Sequence, residues 1–394
     1  MIYMDNAATS PIEAEVLDAM LPYLKEEYGN PSSKYYCCAN NAKNAVEDAR
    51  ASVAKLIGAK PEEIIFTAGA TESTNFIIKG FLDHSKYYGN GRTQVITSSA
   101  EHKATLNTCR YLNGEIFSND DPTTSLFGGT TKVDRGFSAV FLDTDEYGRV
   151  STELLSDSLS ENTALASFIY VNNELGTINP VGQFSKICHG NETMLHVDGT
   201  QALGKLPVDV NIIGCDFMSA SAHKIHGPKG IGFAFIKSDQ YGLPPITSLM
   251  HGGEQEQGIR AGTLAVHNIV GFGKAAEIAL RDFAANNELI TKLDSYFVSR
   301  IGEISDLQLL VPTELRAKGI LSILVNRKDF NNERFIRRIS DKVAISTGSA
   351  CSAGKPSHVL CAIGQKENVN KILRASINKY TTKQDIDELI ELLK

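Results

Sequence analysis

The chain lacks three features that would narrow its function at once. It has no excess of basic residues, because 46 Asp and Glu outnumber 39 Lys and Arg and the net charge is −7. Such a balance argues against direct binding of nucleic acid through a general basic field. No apolar run approaches the ~18 residues of a membrane-spanning helix, so we expect no contact with the membrane interior. The N-terminus, MIYMDNAATSP, has no basic segment followed by an apolar one, which predicts no signal peptide.

Cysteine is present, but not in a pattern that supports a disulfide scaffold. The chain has seven cysteines at irregular spacing among 394 residues. An odd, irregular set in a large chain is typical of free thiols in a reducing compartment, so we predict a cytoplasmic location. A composition of 42% hydrophobic and 22% charged residues is that of an ordinary globular protein.

Predicted strands alternate with predicted helices along most of the chain. Apolar runs at 64–67, 94–98 and 164–171 read as buried strands, and polar residues follow each of them. This alternation predicts a mainly parallel α/β sheet with its site at the carboxyl ends of the strands. A capping box at Ser10–Glu13 predicts where the first helix begins. One long helical pattern from about residue 267 towards 300 predicts the passage into a second domain.

The most informative stretch is CDFMSASAHKIHGPKGIG, residues 215–232. Its lysine, Lys224, follows a short apolar run, and small residues at 219–222 leave room for a large group to approach the amine. A second predicted strand at 194–198 ends in Asp198, with Gln201 just beyond. Pyridoxal phosphate requires such a pair, because it needs an amine for a Schiff base and an anion to keep its pyridine nitrogen protonated.

A glycine turn between a strand and a helix provides a candidate anion site. The strand at 64–67 runs directly into the segment AGATES, 68–73. The start of a helix presents unpaired N–H groups and the positive end of its dipole, which suits a phosphate. The spacing is not that of a P-loop, and an ordinary strand-to-helix turn with a threonine cap would look the same.

Seven motifs occur along the chain in a particular order. They are TAGATES (67–73), EHK (101–103), VNNELG (171–176), HVDGTQ (196–201), SAHKIHGPKG (221–230), MHGG…RAGT (250–263) and GSAC (348–351). In these motifs and their order the chain resembles the cysteine desulfurases, which are class V members of the fold-type-I pyridoxal-phosphate enzymes. The GSAC motif is similar to that of the nitrogenase/housekeeping branch.

The resemblance implies both a fold and an activity. The fold is that of the type I transferases dependent on pyridoxal phosphate, α/β in class. A large domain carries a mainly parallel seven-stranded sheet between helices, and a smaller α+β domain carries the catalytic cysteine. We place the large domain at 13–263 and the smaller one at 1–12 and 264–394. The implied activity removes sulfur from L-cysteine, giving L-alanine and a persulfide on Cys351 that passes to an acceptor protein.

The resemblance also implies individual catalytic roles. Lys224 would hold the cofactor as a Schiff base and then move protons, and Asp198 would pair with the pyridinium nitrogen. Gln201 would contact the ring hydroxyl. His102 would stack on the ring and act as an acid or base. Cys351 would attack the substrate sulfur as a thiolate, which requires an exposed and reactive position.

Further residues are implied to bind the cofactor and the substrate. The phosphate would contact Ala70, Thr71, Ser221 and His223. Thr263 would reach the phosphate of the neighbouring subunit's cofactor, which implies a homodimer with shared active sites. Asn173 would contact the cofactor and, with Arg374, hold the substrate carboxylate, for which the forked guanidinium of arginine is suited.

Two places depart from the family pattern. Only four residues separate Cys351 from Pro356, which is short for this branch. Cys37 and Cys38 stand where relatives usually have a His-x-x-Gly segment. Neighbouring cysteines rarely pair, so packed thiols are favoured over a sulfur relay.

Several alternatives stay open from the sequence. Another class V enzyme, an aminotransferase or a selenocysteine lyase, would share the motifs up to Lys224 without needing Cys351. A metal- or sulfur-binding regulatory protein could use Cys351, His358 and Cys361, but three ligands at this spacing are not a standard zinc site. The sulfur acceptor could be an iron–sulfur scaffold or an enzyme of tRNA or DNA thiolation. The polar excursion at 113–138 is a second place where partner choice could lie.

Overall fold

The structure, a computed structural model, describes residues 1–117, 133–348 and 356–394. Cys351 and most of the polar excursion at 113–138 therefore lie outside the described residues. The helices are α1 (Ala14–Lys25), α2 (Cys37–Leu56), α3 (Ala70–Tyr87), α4 (Lys103–Leu112), α5 (Thr152–Ser158), α6 (Val181–Gly190), α7 (Val210–Ile213), α8 (Val266–Arg281), α9 (Phe283–Gly302), α10 (Asn332–Ile339), α11 (His358–Ala362) and α12 (Lys383–Leu393). The strands are β1 (Ile2–Tyr3), β2 (Ile64–Thr67), β3 (Gln94–Ser98), β4 (Ser138–Leu142), β5 (Thr163–Ile169), β6 (Met194–Asp198), β7 (Phe217–Ser221), β8 (Gly232–Ile236), β9 (Leu307–Leu309), β10 (Ile320–Val325), β11 (Val343–Ala344) and β12 (Ile372–Ser376).

Seven strands form the central sheet, in the order β2-β8-β7-β6-β5-β3-β4. Strand β8 runs antiparallel to both of its neighbours, and the remaining neighbouring pairs are parallel. Strands β2, β5, β7 and β8 are buried along their whole length, as expected when helices cover both faces of a sheet. Helices α3 and α4 pack on one face, and α1, α2, α6 and α8 share the core on the other. The α/β prediction, with a mainly parallel seven-stranded sheet between helices, is confirmed.

A second core forms around a three-stranded antiparallel sheet, in the order β12-β10-β9. Helices α9, α10 and α12 cover this sheet. The N-terminal strand β1 pairs in parallel with β11, and Met4 is buried in the same core. The N-terminal residues therefore pack against elements from the C-terminal part of the chain.

Two local expectations from the sequence are wrong. The long helical pattern from 267 towards 300 is two helices that meet at Asp282, because α8 packs into the core of the large sheet and α9 into the second core. The predicted domain boundary near residue 263 stays a prediction.

The capping box at Ser10–Glu13 does not form, since α1 begins at Ala14 without a side-chain cap. The Ser10 hydroxyl instead donates to the His223 carbonyl at 2.9 Å and accepts from the His226 N–H at 2.9 Å.

No helix in the described part of the chain is both long and apolar enough to cross a membrane.

Candidate active site

A cavity of about 560 Å³ opens at the carboxyl edge of the central sheet. This volume is in the range of small-molecule and cofactor sites. It is lined by predicted site residues from six segments of the chain, namely Ala70, Thr71, His102, Asn173, Asp198, Gln201, Ser221, His223, Lys224 and Arg374. The structure therefore brings together ten of the twelve site residues that the sequence predicted.

Lys224 lies at the end of β7, in a short 3₁₀ turn over 222–224. Its Nζ donates to the carbonyls of Ala7 and Ala8, at 2.6 Å each. Burial, together with the nearby charges of Lys205 and Arg374, lowers the pKa of the Lys224 amine to about 7. A substantial fraction of the amine is therefore unprotonated near neutral pH, which is the form that reacts with an aldehyde.

Asp198 ends β6, the neighbour of β7, and its side chain is buried. One carboxylate oxygen, Oδ1, accepts from the Thr200 N–H at 3.0 Å, which fixes the side chain at the strand end. Gln201 lies on the same turn, and its Nε2 donates to the Ala7 carbonyl at 2.8 Å. The carbonyl of Ala7 is thus shared by Lys224 and Gln201. No sequence motif predicted that the N-terminal segment returns to this place.

One end of the cavity is built from the turn before α3 and from the end of β7. We call it the sheet end and define it by Gly69, Ala70, Thr71, Ser221 and His223. Gly69 has φ = +150°, a conformation that side chains disfavour, and it precedes the first N–H groups of α3, which have no side-chain cap. A helix start with free N–H groups attracts a phosphate. Burial lowers the pKa of His223 to about 4, so the ring is neutral near pH 7 and donates or accepts hydrogen bonds without adding charge.

His102 is the N-cap of α4, and its Nδ1 accepts from the Ala104 N–H at 3.1 Å. Burial lowers the pKa of His102, and a neutral ring that accepts at Nδ1 carries its proton on Nε2. Next to it, Glu101 is fully buried and accepts from the Ser98 hydroxyl at 2.7 Å. Burial raises the pKa of Glu101 to about 8. The burial of Glu101 could not be predicted from the sequence, because a glutamate at the start of a helix is expected at the surface.

The other end of the cavity lies where the two sheets meet. We call it the junction end and define it by Asp5, Asn173, Glu174, Gly348 and Arg374. Arg374 comes from β12, and its Nη1 donates to the carbonyls of Asn173 and Gly348, each at 2.8 Å. Its Nη2 forms an ion pair with Asp5 Oδ1 at 2.7 Å. The predicted carboxylate-binding arginine therefore already holds a carboxylate of its own chain, which the sequence did not predict.

Glu174 is buried beside Asn173 and links the junction end to α11. Its Oε2 accepts from the Ser357 hydroxyl at 2.5 Å, and Ser357 caps the start of α11. A side chain at Gly348 would come within 3.0 Å of the same oxygen. Burial raises the pKa of Glu174. Glu174 therefore contacts both flanks of the segment that carries Cys351 in the sequence.

The donors and acceptors of the cavity fit pyridoxal phosphate with its substrate. Three buried polar atoms, Asn173 Oδ1, Thr200 Oγ1 and Arg374 Nε, have no hydrogen-bond partner within the described ranges. All three residues line the cavity. Buried polar atoms are rarely left unpaired, so a bound polar molecule would satisfy them.

Thr263 is not among the residues that line this cavity. It is exposed on the loop that follows the 3₁₀ turn at 256–258. Its predicted contact with a neighbouring subunit's cofactor stays a prediction. Cys351 is outside the described residues, so its predicted role also rests on the sequence. Cys37 and Cys38 lie at the start of α2, and Cys37 is exposed.

Comparisons with known proteins agree with this architecture. The family model "Aminotransferase class-V" matches residues 2–115 and 129–389. A protein of Rickettsia typhi, "Cysteine desulfurase IscS", is 39% identical over 396 residues, which cover all of this chain and 90% of the relative. The regulatory-protein alternative has no support here, since the relative is an enzyme.

Two solved structures are also similar over nearly their whole length. One, described as a NifS-like protein, is 32% identical with a TM-score of 0.85 and covers 100% of this chain and 98% of its own. The other, described as SspA in complex with cysteine, is 31% identical with a TM-score of 0.79 and covers 97% of this chain and 100% of its own. The class-V aminotransferases and the IscS and NifS desulfurases depend on pyridoxal phosphate. By sequence and fold alike, this chain belongs to the class-V aminotransferase family.

Proposed function

We propose that the chain is a cysteine desulfurase that removes sulfur from L-cysteine and leaves L-alanine. The observation that carries this proposal is that Lys224, Asp198, His102 and Arg374 all line one cavity at the carboxyl edge of the sheet. The full-length similarity to the IscS desulfurases supports it. The reaction transfers the substrate sulfur to the Cys351 thiol, so that L-cysteine and Cys–SH become L-alanine and Cys–S–SH.

Each residue that lines the cavity is assigned a separate role in the reaction. Pyridoxal phosphate, when bound, supplies an electron sink for the charge that develops at the substrate Cα. Lys224 would hold the cofactor and would move the Cα proton, for which a pKa of about 7 is well matched to neutral pH. Asp198 would pair with the ring nitrogen. The neutral His102, with its proton on Nε2, is suited to donate at the reacting end of the ring.

Substrate orientation is assigned to the junction end. Arg374 and Asn173 would bind the substrate carboxylate, for which the N–H of Arg374 Nε stands unpaired among the described residues. The carboxylate would compete with Asp5 for the guanidinium. Cys351 would then receive the sulfur and pass it to an acceptor protein, an iron–sulfur scaffold or a thiolation enzyme. Pull-down of the persulfide form from the native cell extract, scored for transferred sulfur, would identify the acceptor.

We also propose a homodimer in a reducing cytoplasm. Thr263 lies outside its own chain's cavity, which is consistent with a contact to the partner's cofactor phosphate. The six cysteines of the described part are all unpaired, as expected of a reducing compartment. Sedimentation equilibrium of the holoenzyme tests the dimer.

The activity is tested by product analysis with two variants. The wild-type protein should convert L-cysteine to alanine in equimolar amount with sulfane sulfur. Lys224→Ala should lose both cofactor attachment and alanine formation. Cys351→Ala should keep the cofactor spectrum but lose persulfide formation.

Other outcomes favour the other class V activities. A Cys351→Ala variant with unchanged alanine production would contradict the nucleophile. Turnover of selenocysteine but not cysteine would indicate a selenocysteine lyase. Amino-group transfer without sulfur release would indicate an aminotransferase.

A further inference from the structure

A half-buried lysine, Lys205, lies next to Gln201 and has no part in the reaction described above. Lys205 follows Gln201 by four residues, and its Nζ donates to Gln201 Oε1 at 3.2 Å. Within the described ranges this is its one side-chain hydrogen bond, and no carboxylate pairs with it. An ammonium group removed from water without a counter-ion is costly. Burial accordingly lowers the pKa of Lys205 to about 8.

Lys205 and Ala7 together fix the orientation of the Gln201 side chain. The oxygen and nitrogen ends of an amide are nearly the same in shape, so their placement depends on the neighbouring groups. A lysine ammonium can only donate, and a backbone carbonyl can only accept. Gln201 therefore turns Oε1 to Lys205 and Nε2 to the Ala7 carbonyl. Its NH₂ group, with a second hydrogen to donate, is held at the wall of the cofactor cavity.

Lys205 also shares a second, smaller cavity with Lys224. This cavity has a volume of about 70 Å³ and is lined by Lys205, Lys224, Glu13, His226 and Lys379, among others. Lys205 does not line the cofactor cavity. Within the described ranges, its side-chain contact with the cofactor site is therefore the hydrogen bond to Gln201.

The charges around Lys224 come from several elements. The Lys205 charge and Arg374 of β12 oppose protonation of its amine, whereas Asp5 and Asp198 favour it. The histidines beside it, His102, His223 and His226, all have pKa values lowered by burial and are neutral near pH 7. Arg374 is paired with Asp5, whereas Lys205, like the exposed Lys229 at the cofactor cavity, forms no ion pair within the described ranges. Among the neighbouring charges that oppose protonation of the Lys224 amine, that of Lys205 is the largest.

We propose that Lys205 is a positioning residue of the cofactor site. It holds the Gln201 amide with its NH₂ group towards the cofactor, and its charge keeps the Lys224 amine in the unprotonated form that reacts with the aldehyde. This inference rests on the proposed function for the identity of the cofactor. The state of the Lys224 amine, however, can be measured without any cofactor.

The experiment compares Lys205→Met with two controls, Lys205→Arg and Lys379→Met. Lys379 lines the same small cavity, but its ammonium is 2.7 Å from Glu13 Oε2 and is thus neutralised. In the cofactor-free protein, labelling of Lys224 by an amine reagent is followed against pH by mass spectrometry. The apparent pKa of Lys224 should rise by roughly one unit in Lys205→Met and stay within a few tenths in both controls.

A second measurement follows the uptake of pyridoxal phosphate by its visible absorbance. Lys205→Met should take up the cofactor roughly fivefold more slowly at pH 7 and recover at higher pH, which a merely structural defect would not do. An unchanged Lys224 titration in Lys205→Met, or an equal change in Lys379→Met, would overturn the proposal. If Lys205→Met does not fold, Lys205→Gln replaces it with the same expectation for the Lys224 titration. Failure of the wild-type protein to form the visible band would instead count against the proposed function, and the labelling result would still decide the role of Lys205.

Discussion

The two ends of the active-site cavity differ in the kind of interaction that holds their side chains. Uncharged groups predominate at the sheet end, and an ion pair at the junction end. At the sheet end, the proposed phosphate donors are the backbone N–H groups at the start of α3 and the Ser221 hydroxyl at the end of β7. Burial keeps the neighbouring groups uncharged, since His102 and His223 have lowered pKa values and Glu101 a raised one. This end would therefore add little charge of its own to that of a bound phosphate.

The junction end instead relies on an ion pair between remote parts of the chain, in which Arg374 is buried and Asp5 is half-buried. Arg374 and Asp5 are 369 residues apart in the sequence, and the guanidinium also holds the carbonyls of Asn173 and Gly348. The difference indicates that single side-chain changes should be costly at the junction end and mild at the sheet end. Cofactor binding and substrate binding can thus be perturbed separately.

The largest loss of folding stability is expected from Arg374→Leu. Removing one partner of a buried ion pair leaves the other uncompensated, so the free energy of unfolding should fall by about 3 kcal/mol. Urea denaturation measures it. The double variant Asp5→Asn/Arg374→Leu should recover part of the loss, because no unpaired carboxylate remains. Equal stability of the single and double variants would mean that the junction end does not depend on this pair.

A pH-dependent effect is expected from Glu101. Its pKa in the folded chain, about 8, is above the ordinary value of 4.5. Between these values the unfolded chain releases a proton that the folded chain keeps, so stability falls as pH rises, by at most roughly 1.4 kcal/mol per unit. Glu101→Gln should flatten the decline between pH 5.5 and 7.5 in denaturation curves. Glu161→Gln, at an exposed glutamate, should retain the wild-type slope; a retained slope in Glu101→Gln would show that this carboxyl is already ionised.

The smallest effect is expected from Ser221→Ala at the sheet end. The Ser221 hydroxyl donates to the Ile231 carbonyl at 3.1 Å, and its loss should cost about 1 kcal/mol of stability. Pyridoxal-phosphate affinity should fall by about tenfold or less, because the N–H groups of α3 remain. Ser185→Ala is a matched control, since that buried hydroxyl donates to the Gly214 carbonyl away from the cavity. A much larger loss of affinity would mean that side chains, not the helix start, bind the phosphate.

Elements with strong local signals were predicted well from the sequence. The strands at 64–67 and 94–98 form where the apolar runs place them, and the lysine and aspartate at adjacent strand ends lie on one cavity. The capping box at Ser10–Glu13 fails because contacts from 223–226 use the Ser10 hydroxyl instead. The helix break at Asp282 was missed because both halves are amphipathic, and only the two cores decide where the chain turns.

By itself the sequence determined the sheet, its polar edge and the chemical groups placed along that edge. These features arise from hydrophobic period and from short motifs, which act over a few residues. Only the tertiary structure decided that Asp5 pairs with Arg374, that the carbonyls of Ala7 and Ala8 hold the Lys224 amine, and that Lys205 lies behind Gln201. Buried polar groups take whichever partners the packed elements bring to them, and that choice depends on the whole fold.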